Sequence, residues 1–249
     1  MSSDRLDAWL AALEARHLAN LTRSELSRAL RALSSCYVER RGKLAGGAAL
    51  EGAGKRAAFA LFYGPMHFLT LAEIVRGLGA HERRVTTIHD LGCGTGVGGA
   101  AWALEAATPP SIAGVDRNAW AVAEANWTYR QFGLRGTARV ADLRFPDFPI
   151  PRFPDSAIVL AYAVNELPEA TRGTLLEKVA DCAERGSPLL IVEPIAKKDR
   201  SWWPAWASRL GGVEREWRFR VTLPPLLREI ASSAGLDPRE LTARTLSRL

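Results

Sequence analysis

The sequence predicts an α/β protein built on a doubly wound, mostly parallel β-sheet, with a helical cap formed by its N-terminal residues. From residue 85 onward, short apolar runs alternate with helical patterns, which is typical of βαβ units. The run 157–163 is apolar throughout, as expected of a central strand buried on both faces. Before residue 80 the apolar residues follow only a helical period. We therefore predict a helical region over 1–80 and a sheet domain over 81–249.

The N-terminal helices are predicted from apolar spacing and capping signals. Thr22 and Glu25 have the spacing of a capping box, in which two side chains bond reciprocally to the first turn of a helix. Pro65, in Tyr63-Gly64-Pro65, lacks an N–H and collides with the preceding turn, so we expect a kink or break there. The predicted helices are 4–19, 22–40 and 55–78, with a glycine-rich loop over 42–54.

Strands and helices alternate in the second region. The predicted strands are 85–91, 112–116, 137–140, 157–163, 189–192, 214–222 and 240–246. The predicted helices are 98–107, 119–132, 169–185 and 224–234, with a proline-rich loop over 145–154. The tryptophan-rich stretch 201–210 is given no secondary structure.

Composition limits the class of protein. With 47% apolar and 24% charged residues, the chain is typical of a globular protein rather than a disordered one. The longest unbroken apolar run, 157–164, is too short to span a bilayer, so we expect no membrane partner. The first residues do not have the pattern of a secretory signal. Three widely separated cysteines fit a reducing compartment, so we expect a cytoplasmic protein.

Charge is distributed unevenly along the chain. The net charge is +6, but residues 85–195 carry −4, whereas 1–84 and 196–249 each carry +5. Basic flanks can indicate a nucleic-acid partner. They can equally reflect an arginine-rich composition, because 28 of the 33 basic residues are arginine.

A cluster of glycines directly follows the first predicted strand, in Asp90-Leu91-Gly92-Cys93-Gly94-Thr95-Gly96. Glycines let the backbone turn sharply and approach a ligand closely, and the helix that follows offers free N–H groups. Ligands of such sheets bind at the carboxyl ends of the strands. The segment therefore predicts a ligand site.

Two classes of ligand fit this segment. Residues 94–99 have the glycine spacing of dinucleotide-binding proteins, and Asp116 lies 20 residues beyond Gly96. The carboxylate of Asp90 at the strand end, however, would repel a pyrophosphate and would suit a ligand that carries an ammonium and a sulfonium. S-adenosylmethionine (SAM) is such a ligand. An oxidoreductase with a nucleotide cofactor is the alternative.

The segment Asp90–Gly96, followed by Gly114-Val115-Asp116 at the next strand end, resembles class I SAM-dependent methyltransferases. The resemblance covers about residues 85–195 and implies a Rossmann-like methyltransferase fold. It implies that Asp90 and the glycine loop hold the methionine part of SAM, and that Asp116 binds the ribose hydroxyls. Asp142 matches the position beside the adenine amino group. The predicted cofactor-binding residues are Asp90, Gly92, Cys93, Gly94, Thr95, Gly96, Asp116, Arg117, Asp142, Leu143 and Tyr162.

A second resemblance is narrower. Tyr63-Gly64-Pro65, Asn165-Glu166-Leu167-Pro168 and Ile191-Val192-Glu193-Pro194 resemble the methyltransferase-like assembly factors of the small ribosomal subunit. This resemblance implies rRNA or the small ribosomal subunit as a partner. That family carries a cysteine cluster that binds a metal centre, whereas this chain has only Cys182 beyond Cys93, so we expect no metal.

Contacts to the methyl acceptor are predicted at the end of the fourth strand. Asn165 could fix an acceptor by hydrogen bonds, and Glu166 could take a proton from it, so both are candidate catalytic residues. The alternative is that Glu166 caps the following helix or pairs with an arginine. Methyl transfer depends mainly on alignment, so a dedicated base is not required.

Three further features have both a structural and a functional interpretation. Cys93 is expected to be a small packed residue rather than a nucleophile. Tyr63 and His67 are candidates for lining the mouth of the cofactor site. The tryptophans between residues 202 and 217 either stack on RNA bases or form a small core at the sheet edge, and the core is favoured.

The sequence therefore predicts a methyltransferase that transfers a methyl group from SAM to an unidentified N, O or C acceptor, with rRNA as a candidate. The alternatives are a SAM-binding ribosome or rRNA assembly factor without catalysis, a small-molecule methyltransferase and the oxidoreductase.

Overall fold

The computed structural model describes residues 3–39, 50–145, 155–195 and 201–249. The predicted loops over 42–54 and 145–154 lie largely outside these residues. The chain forms two compact units, of which the first comprises Met1–Leu69 and Phe219–Leu241 and the second Thr70–Arg218 and Thr242–Leu249. The division at residue 80 stays a prediction about domains.

The seven predicted strands are all present, each within two residues of its predicted ends. In chain order the described helices are α1 (Ser3–His17), α2 (Arg23–Glu39), α3 (Ala53–Ala58), α4 (Gly64–Gly77), α5 (Val97–Glu105), α6 (Ala119–Gln131), α7 (Glu169–Glu184), α8 (Trp203–Leu210) and α9 (Pro225–Ser233). The strands are β1 (Thr87–Leu91), β2 (Ser111–Asp116), β3 (Gly136–Val140), β4 (Ser156–Ala161), β5 (Leu189–Glu193), β6 (Val213–Arg220) and β7 (Glu240–Arg248). Helix α8 lies in the tryptophan-rich stretch, to which the sequence assigned no structure.

The first unit is helical, and the predicted capping box starts its second helix. Thr22 Oγ1 accepts the Glu25 N–H at 3.2 Å, and Glu25 Oε2 accepts the Thr22 N–H at 2.8 Å. The capping box is therefore confirmed. Leucines at helical spacing on α2 then pack in the interior, namely Leu26, Leu30 and Leu33.

The helix around Pro65 is not broken. A single π-helical turn, Phe59–Tyr63, joins α3 to α4, so the helical pitch changes immediately before Gly64-Pro65. Proline lacks the N–H that a regular helix would use for its backbone bond, and the change of pitch falls just before this position. The predicted disturbance is therefore a widened turn. Such π-turns are frequent at functional sites.

One described helical segment, Ala53–Gly77, is long and apolar enough to cross a membrane by length and composition alone. Within its most apolar window, 72% is buried inside the protein, as in the core helix of a globular protein. Burial in the core therefore accounts for the apolar composition. The absence of a membrane partner stays a prediction.

The second unit contains a seven-stranded sheet in the order β3-β2-β1-β4-β5-β7-β6. Strands β1 to β5 pair in parallel, and β7 runs antiparallel to β5. The strand order reverses between β1 and β4, which is where open sheets of this kind bind ligands at their carboxyl ends. The loops after β1, β2 and β4 therefore define the place to look for a site.

The tryptophans of the C-terminal part lie mainly in the core. Trp202, Trp203 and Trp206 are 7%, 3% and 2% exposed and belong to a hydrophobic cluster with residues of α7. The guanidinium of Arg244 lies 3.7 Å from the ring centre of Trp203, in a cation–π contact. These three side chains therefore lie in a core and cannot stack on RNA bases, although they belong to the main core of the sheet and not to a separate small one. Trp217 is half-buried and lies outside this cluster.

Candidate functional site

The glycine loop after β1 packs closely against the turn that follows β4 and against α6. Gly92 and Gly96 have φ values of +75° and +80°, which favour glycine. A Cβ atom at Gly92 would lie 2.7 Å from Ala163 Cβ, and one at Gly96 would lie 2.9 Å from Ala125 Cα. Glycine is therefore required here for packing, independently of any ligand.

Backbone hydrogen bonds fasten this loop to the end of β2. The N–H groups of Gly92 and Cys93 both donate to the Val115 carbonyl at 2.9 Å. The next donor along the chain, Gly94 N–H, donates to Asp116 Oδ2 at 2.9 Å. The loop and the Asp116 carboxylate thus form one rigid structure at the carboxyl ends of β1 and β2.

The carboxylate of Asp116 is shared by two backbone donors. Its second oxygen, Oδ1, accepts the Asn118 N–H at 2.8 Å. Each carboxylate oxygen can accept two hydrogen bonds, so both retain capacity for the two hydroxyls of a diol. Burial raises the pKa of Asp116, and these two N–H bonds oppose that shift. Asn118, which caps α6 by accepting from Trp120 N–H and Ala121 N–H, was not predicted.

Asp90 lies beneath the start of α5. Its carboxylate is 1% exposed and accepts the Gly99 N–H at 2.7 Å. A Cβ atom at Gly98 or Gly99 would lie 3.2 or 3.1 Å from Asp90 Oδ2, so this pair of glycines makes room for it. Burial raises the pKa of Asp90 to about 7, with a smaller contribution from the charge of Asp116. The structure therefore gives Asp90 an anchoring role that sequence reasoning did not include.

Two side chains of the loop differ in their polar contacts. Cys93 is buried, and burial raises the pKa of its thiol well above the usual range, so the thiolate nucleophile is disfavoured. Thr95 is 5% exposed, and its Oγ1 is buried with no hydrogen-bond partner among the residues that the structure describes. An unpaired buried hydroxyl is costly, and a ligand atom at the loop would satisfy it.

The predicted adenine-side residues follow β3. Leu143 is buried, and its Cδ1 lies 3.8 Å from the position of a Cβ at Gly92. The carboxylate of Asp142 accepts from Arg144 through the backbone N–H at 2.9 Å and Nε at 2.8 Å. These bonds with Arg144 hold the pKa of Asp142 below its usual range. Arg144 was not predicted.

The residues after β4 form a strained turn. Tyr162 has φ +58°, which is unusual for a bulky residue and is found most often at functional sites. Glu166 ends the short 3₁₀ turn Val164–Glu166 and, among the described residues, its carboxylate makes no hydrogen bond. Burial raises the pKa of Glu166 to about 7, Arg117 opposes this, and Asp116 adds to it. Glu166 therefore lies within electrostatic reach of the predicted ribose site.

Asn165 has a structural role that the sequence did not indicate. Its Nδ2 donates to Glu193 Oε2 at 2.7 Å, and its Oδ1 accepts from Trp202 Nε1 at 2.8 Å. Both ends of the amide are thus engaged by the protein. Of the two candidate catalytic residues, only Glu166 has a side chain that makes no hydrogen bond to other described residues.

Tyr63 and His67 lie in the first unit, at the π-turn and the start of α4. Their ring centroids are 6.2 Å apart, and that of Phe59 is 6.3 Å from each. Burial lowers the pKa of His67 to about 4, so the imidazole is neutral at pH 7. A role for these rings at the cofactor site stays a prediction.

No protein-family profile and no curated protein matches this sequence. Among solved structures, the mitomycin 7-O-methyltransferase matches over 96% of this chain and 71% of its own, with 15% identity and a TM-score of 0.52. A putative RNA methyltransferase from Pyrococcus horikoshii matches over 74% of this chain and 83% of its own, with 15% identity and a TM-score of 0.48. A tRNA (uracil-54, C5)-methyltransferase from Pyrococcus abyssi, in complex with S-adenosyl-L-homocysteine, matches over 71% and 37%, with 13% identity and a TM-score of 0.45.

The likeness to the mitomycin enzyme establishes the fold. The chain has the Rossmann-like fold of class I SAM-dependent methyltransferases, and the predicted fold class is confirmed. The resemblance to ribosomal assembly factors stays a prediction. Within the parts of the chain that the structure describes, no group of three or more His, Cys, Asp or Glu residues could hold a metal ion.

Proposed function

We propose that this protein is a methyltransferase that uses SAM as the methyl donor. The observation that carries the proposal is the contact between the glycine loop and the end of β2. Gly94 N–H donates to Asp116, and the hydroxyl of the next residue, Thr95, is buried with no hydrogen-bond partner in the described part of the chain. A carboxylate with spare acceptor capacity at this point suits a ribose diol. The mitomycin 7-O-methyltransferase, which shares this fold, supports the same conclusion.

The residues present fit SAM. Thr95 and the glycine loop would hold its methionine part, and Asp116 its ribose. Leu143 would pack against the adenine, and Asp142 would face the adenine amino group while remaining paired with Arg144. Asp116 and Glu166 lie within electrostatic reach of each other at the proposed ribose site, and their carboxylates favour a cationic ligand over a pyrophosphate.

SAM would supply an activated methyl group on its sulfonium. The protein would orient an acceptor against that methyl group, and the carbon–sulfur electron pair would stay on sulfur when the methyl is transferred. Glu166 accepts the proton that an N–H or O–H acceptor loses in this step. A carboxylate that titrates near neutral pH is suited to that role.

Calorimetry of the wild-type protein tests the proposed function. We expect SAM to bind and NAD not to bind, because the carboxylates of the site repel a pyrophosphate. Binding of NAD without SAM would support the oxidoreductase. Binding of neither ligand by a well-folded protein would overturn the proposed cofactor.

Replacement of Glu166 is expected to change the pH dependence of methyl transfer. In the wild type the rate should rise with pH up to an inflection near the Glu166 pKa of about 7, because only the ionised carboxylate accepts a proton. Glu166→Gln should be slower by about 100-fold and lack that inflection. Formation of S-adenosylhomocysteine would be measured from pH 5.5 to 9, with rRNA as the first acceptor. An unchanged inflection would exclude Glu166 as the base.

RNA is the acceptor that the charge distribution favours. The flanks 1–84 and 196–249 each carry +5, and the exposed arginines of β6 add basic side chains to the sheet edge, namely Arg215, Arg218 and Arg220. Three of the tryptophans between residues 202 and 217 are buried and cannot stack on bases, so the proposal of an RNA acceptor depends on charge alone.

A cytoplasmic location is proposed from cysteine usage alone.

A further inference from the structure

A buried carboxylate, Glu193, lies at the end of β5. It is 1% exposed. Its Oε1 accepts the N–H groups of Val164 at 2.9 Å and Asn165 at 3.1 Å, and its Oε2 accepts Asn165 Nδ2–H at 2.7 Å. A buried charge is costly unless it is hydrogen-bonded, and these three donors offset that cost. All three belong to the turn that follows β4.

These contacts fix the direction of each side chain in the turn. In a 3₁₀ turn, successive side chains point about 120° apart, because there are about three residues per turn. Holding the Asn165 amide against Glu193 therefore turns the neighbouring Glu166 away from Glu193. The charges that influence Glu166 are those of Arg117 and Asp116, on the loop after β2.

A residue with an unfavourable backbone conformation precedes the turn. Tyr162, with φ +58°, precedes the turn, and its N–H donates to the Val192 carbonyl at 2.8 Å. Strained conformations persist only where surrounding contacts determine them. Trp202 Nε1 adds a further contact, through Asn165 Oδ1 at 2.8 Å. Glu193, Asn165 and Trp202 thus form a hydrogen-bonded chain behind the turn.

We propose that Glu193 is a positioning residue: it holds the turn Val164–Glu166 so that Asn165 faces inward and Glu166 faces the predicted ribose site. The functional meaning of this role rests on the proposed methyl transfer. Glu193 itself has no contact with ligand in the proposal and acts through Glu166.

A reciprocal exchange of the two side chains tests the proposal. Glu193→Gln places an NH₂ group against the Asn165 NH₂, and Asn165→Asp places two carboxylates together in a buried site. In the double variant the introduced glutamine donates to the introduced aspartate, which still accepts from Trp202. The double variant therefore has the same net charge as the wild type and restores the hydrogen bonds described above, whereas each single variant loses one of them.

Carbon-13 NMR measures the titration of the Glu166 carboxyl in each protein. The Glu166→Gln variant lacks this carboxyl and so identifies its signal. We expect a pKa of about 7 in the wild type and in the double variant. In Glu193→Gln the pKa of Glu166 should fall by about one unit or more towards its usual range, because a displaced turn exposes Glu166 to water. In Asn165→Asp the added neighbouring charge opposes that fall, so a smaller shift is expected. Equal titration in all four proteins would overturn the proposal. If a single variant fails to fold, the double variant decides: titration near 7 supports the proposal, and an ordinary value overturns it.

This experiment is independent of the cofactor, because the titration requires neither SAM nor an acceptor. Failure of the proposed function would appear as wild-type protein that does not bind SAM. Failure of the positioning role would appear as an unchanged Glu166 titration. Once an acceptor is known, the single variants should lower the rate of methyl transfer, and the double variant should restore it.

Discussion

Asp116→Ala is expected to lower the affinity for SAM by at least about 100-fold. Two hydrogen bonds from a diol to a carboxylate contribute about 3 kcal/mol or more, and each 1.4 kcal/mol corresponds to a factor of ten. The substitution also removes the acceptor for Gly94 N–H and Asn118 N–H, so the loop loses its attachment to β2. Both effects act in the same direction. Calorimetric titration with SAM measures the result.

A carboxylate at the amino ends of the same strands, opposite to the proposed site, provides the control. Asp155 precedes β4 and accepts from Thr86 Oγ1 at 2.8 Å, before β1 begins. Asp155→Ala removes one negative charge, as Asp116→Ala does, but at the amino ends of the strands. Its affinity for SAM should stay within about twofold of wild type, since exposed charges at that distance are screened. Equal losses in both variants, or no loss in Asp116→Ala, would show that Asp116 does not bind the ribose.

The sequence predicts those parts of the fold that are determined by residues close together in the chain. The capping box of Thr22 and Glu25 spans only four residues, and the glycine loop follows its strand directly. The strands were found because apolar runs are bounded by turn residues. In each case the residues that determine the structure are neighbours in the chain. The effect of Pro65 was less well predicted, because the π-turn Phe59–Tyr63 that replaces the expected kink or break depends on packing as well as on proline.

The site was predicted only in part, because its side chains find partners from distant segments. Asn165 was identified as a contact to the acceptor, but Glu193 and Trp202 occupy its amide from 28 and 37 residues away. The acidic residue in Ile191-Val192-Glu193-Pro194 was visible in the sequence, yet nothing in its spacing indicated a buried carboxylate that accepts from a turn. The anchoring of α5 by Asp90 had a possible signal in the adjacent Gly98-Gly99, which leaves space for a carboxylate.

Gly96→Ala is expected to lower the free energy of unfolding by about 3 kcal/mol or more. The new Cβ would lie 2.8 Å from Tyr129 Cε1 and 2.9 Å from Ala125 Cα, and the backbone of α6 cannot yield as a flexible side chain would. The φ value of +80° adds strain for any residue other than glycine. Urea unfolding of the protein without ligand measures the loss.

Gly94→Ala is the matched substitution, two residues away in the same loop. Gly94 also has positive φ, +52°, but among the described residues, its chain neighbours apart, a Cβ there would have no heavy atom within 4 Å. The loss should therefore be only about 1 kcal/mol, from backbone strain. Equal losses at Gly94 and Gly96 would mean that strain, and not the contact with α6, determines stability. The open space at Gly94 adjoins Asp116, where we propose that SAM binds, so Gly94→Ala should weaken SAM binding while leaving most of the stability intact. The pair thus separates the glycine that the fold requires from the glycine that the ligand requires.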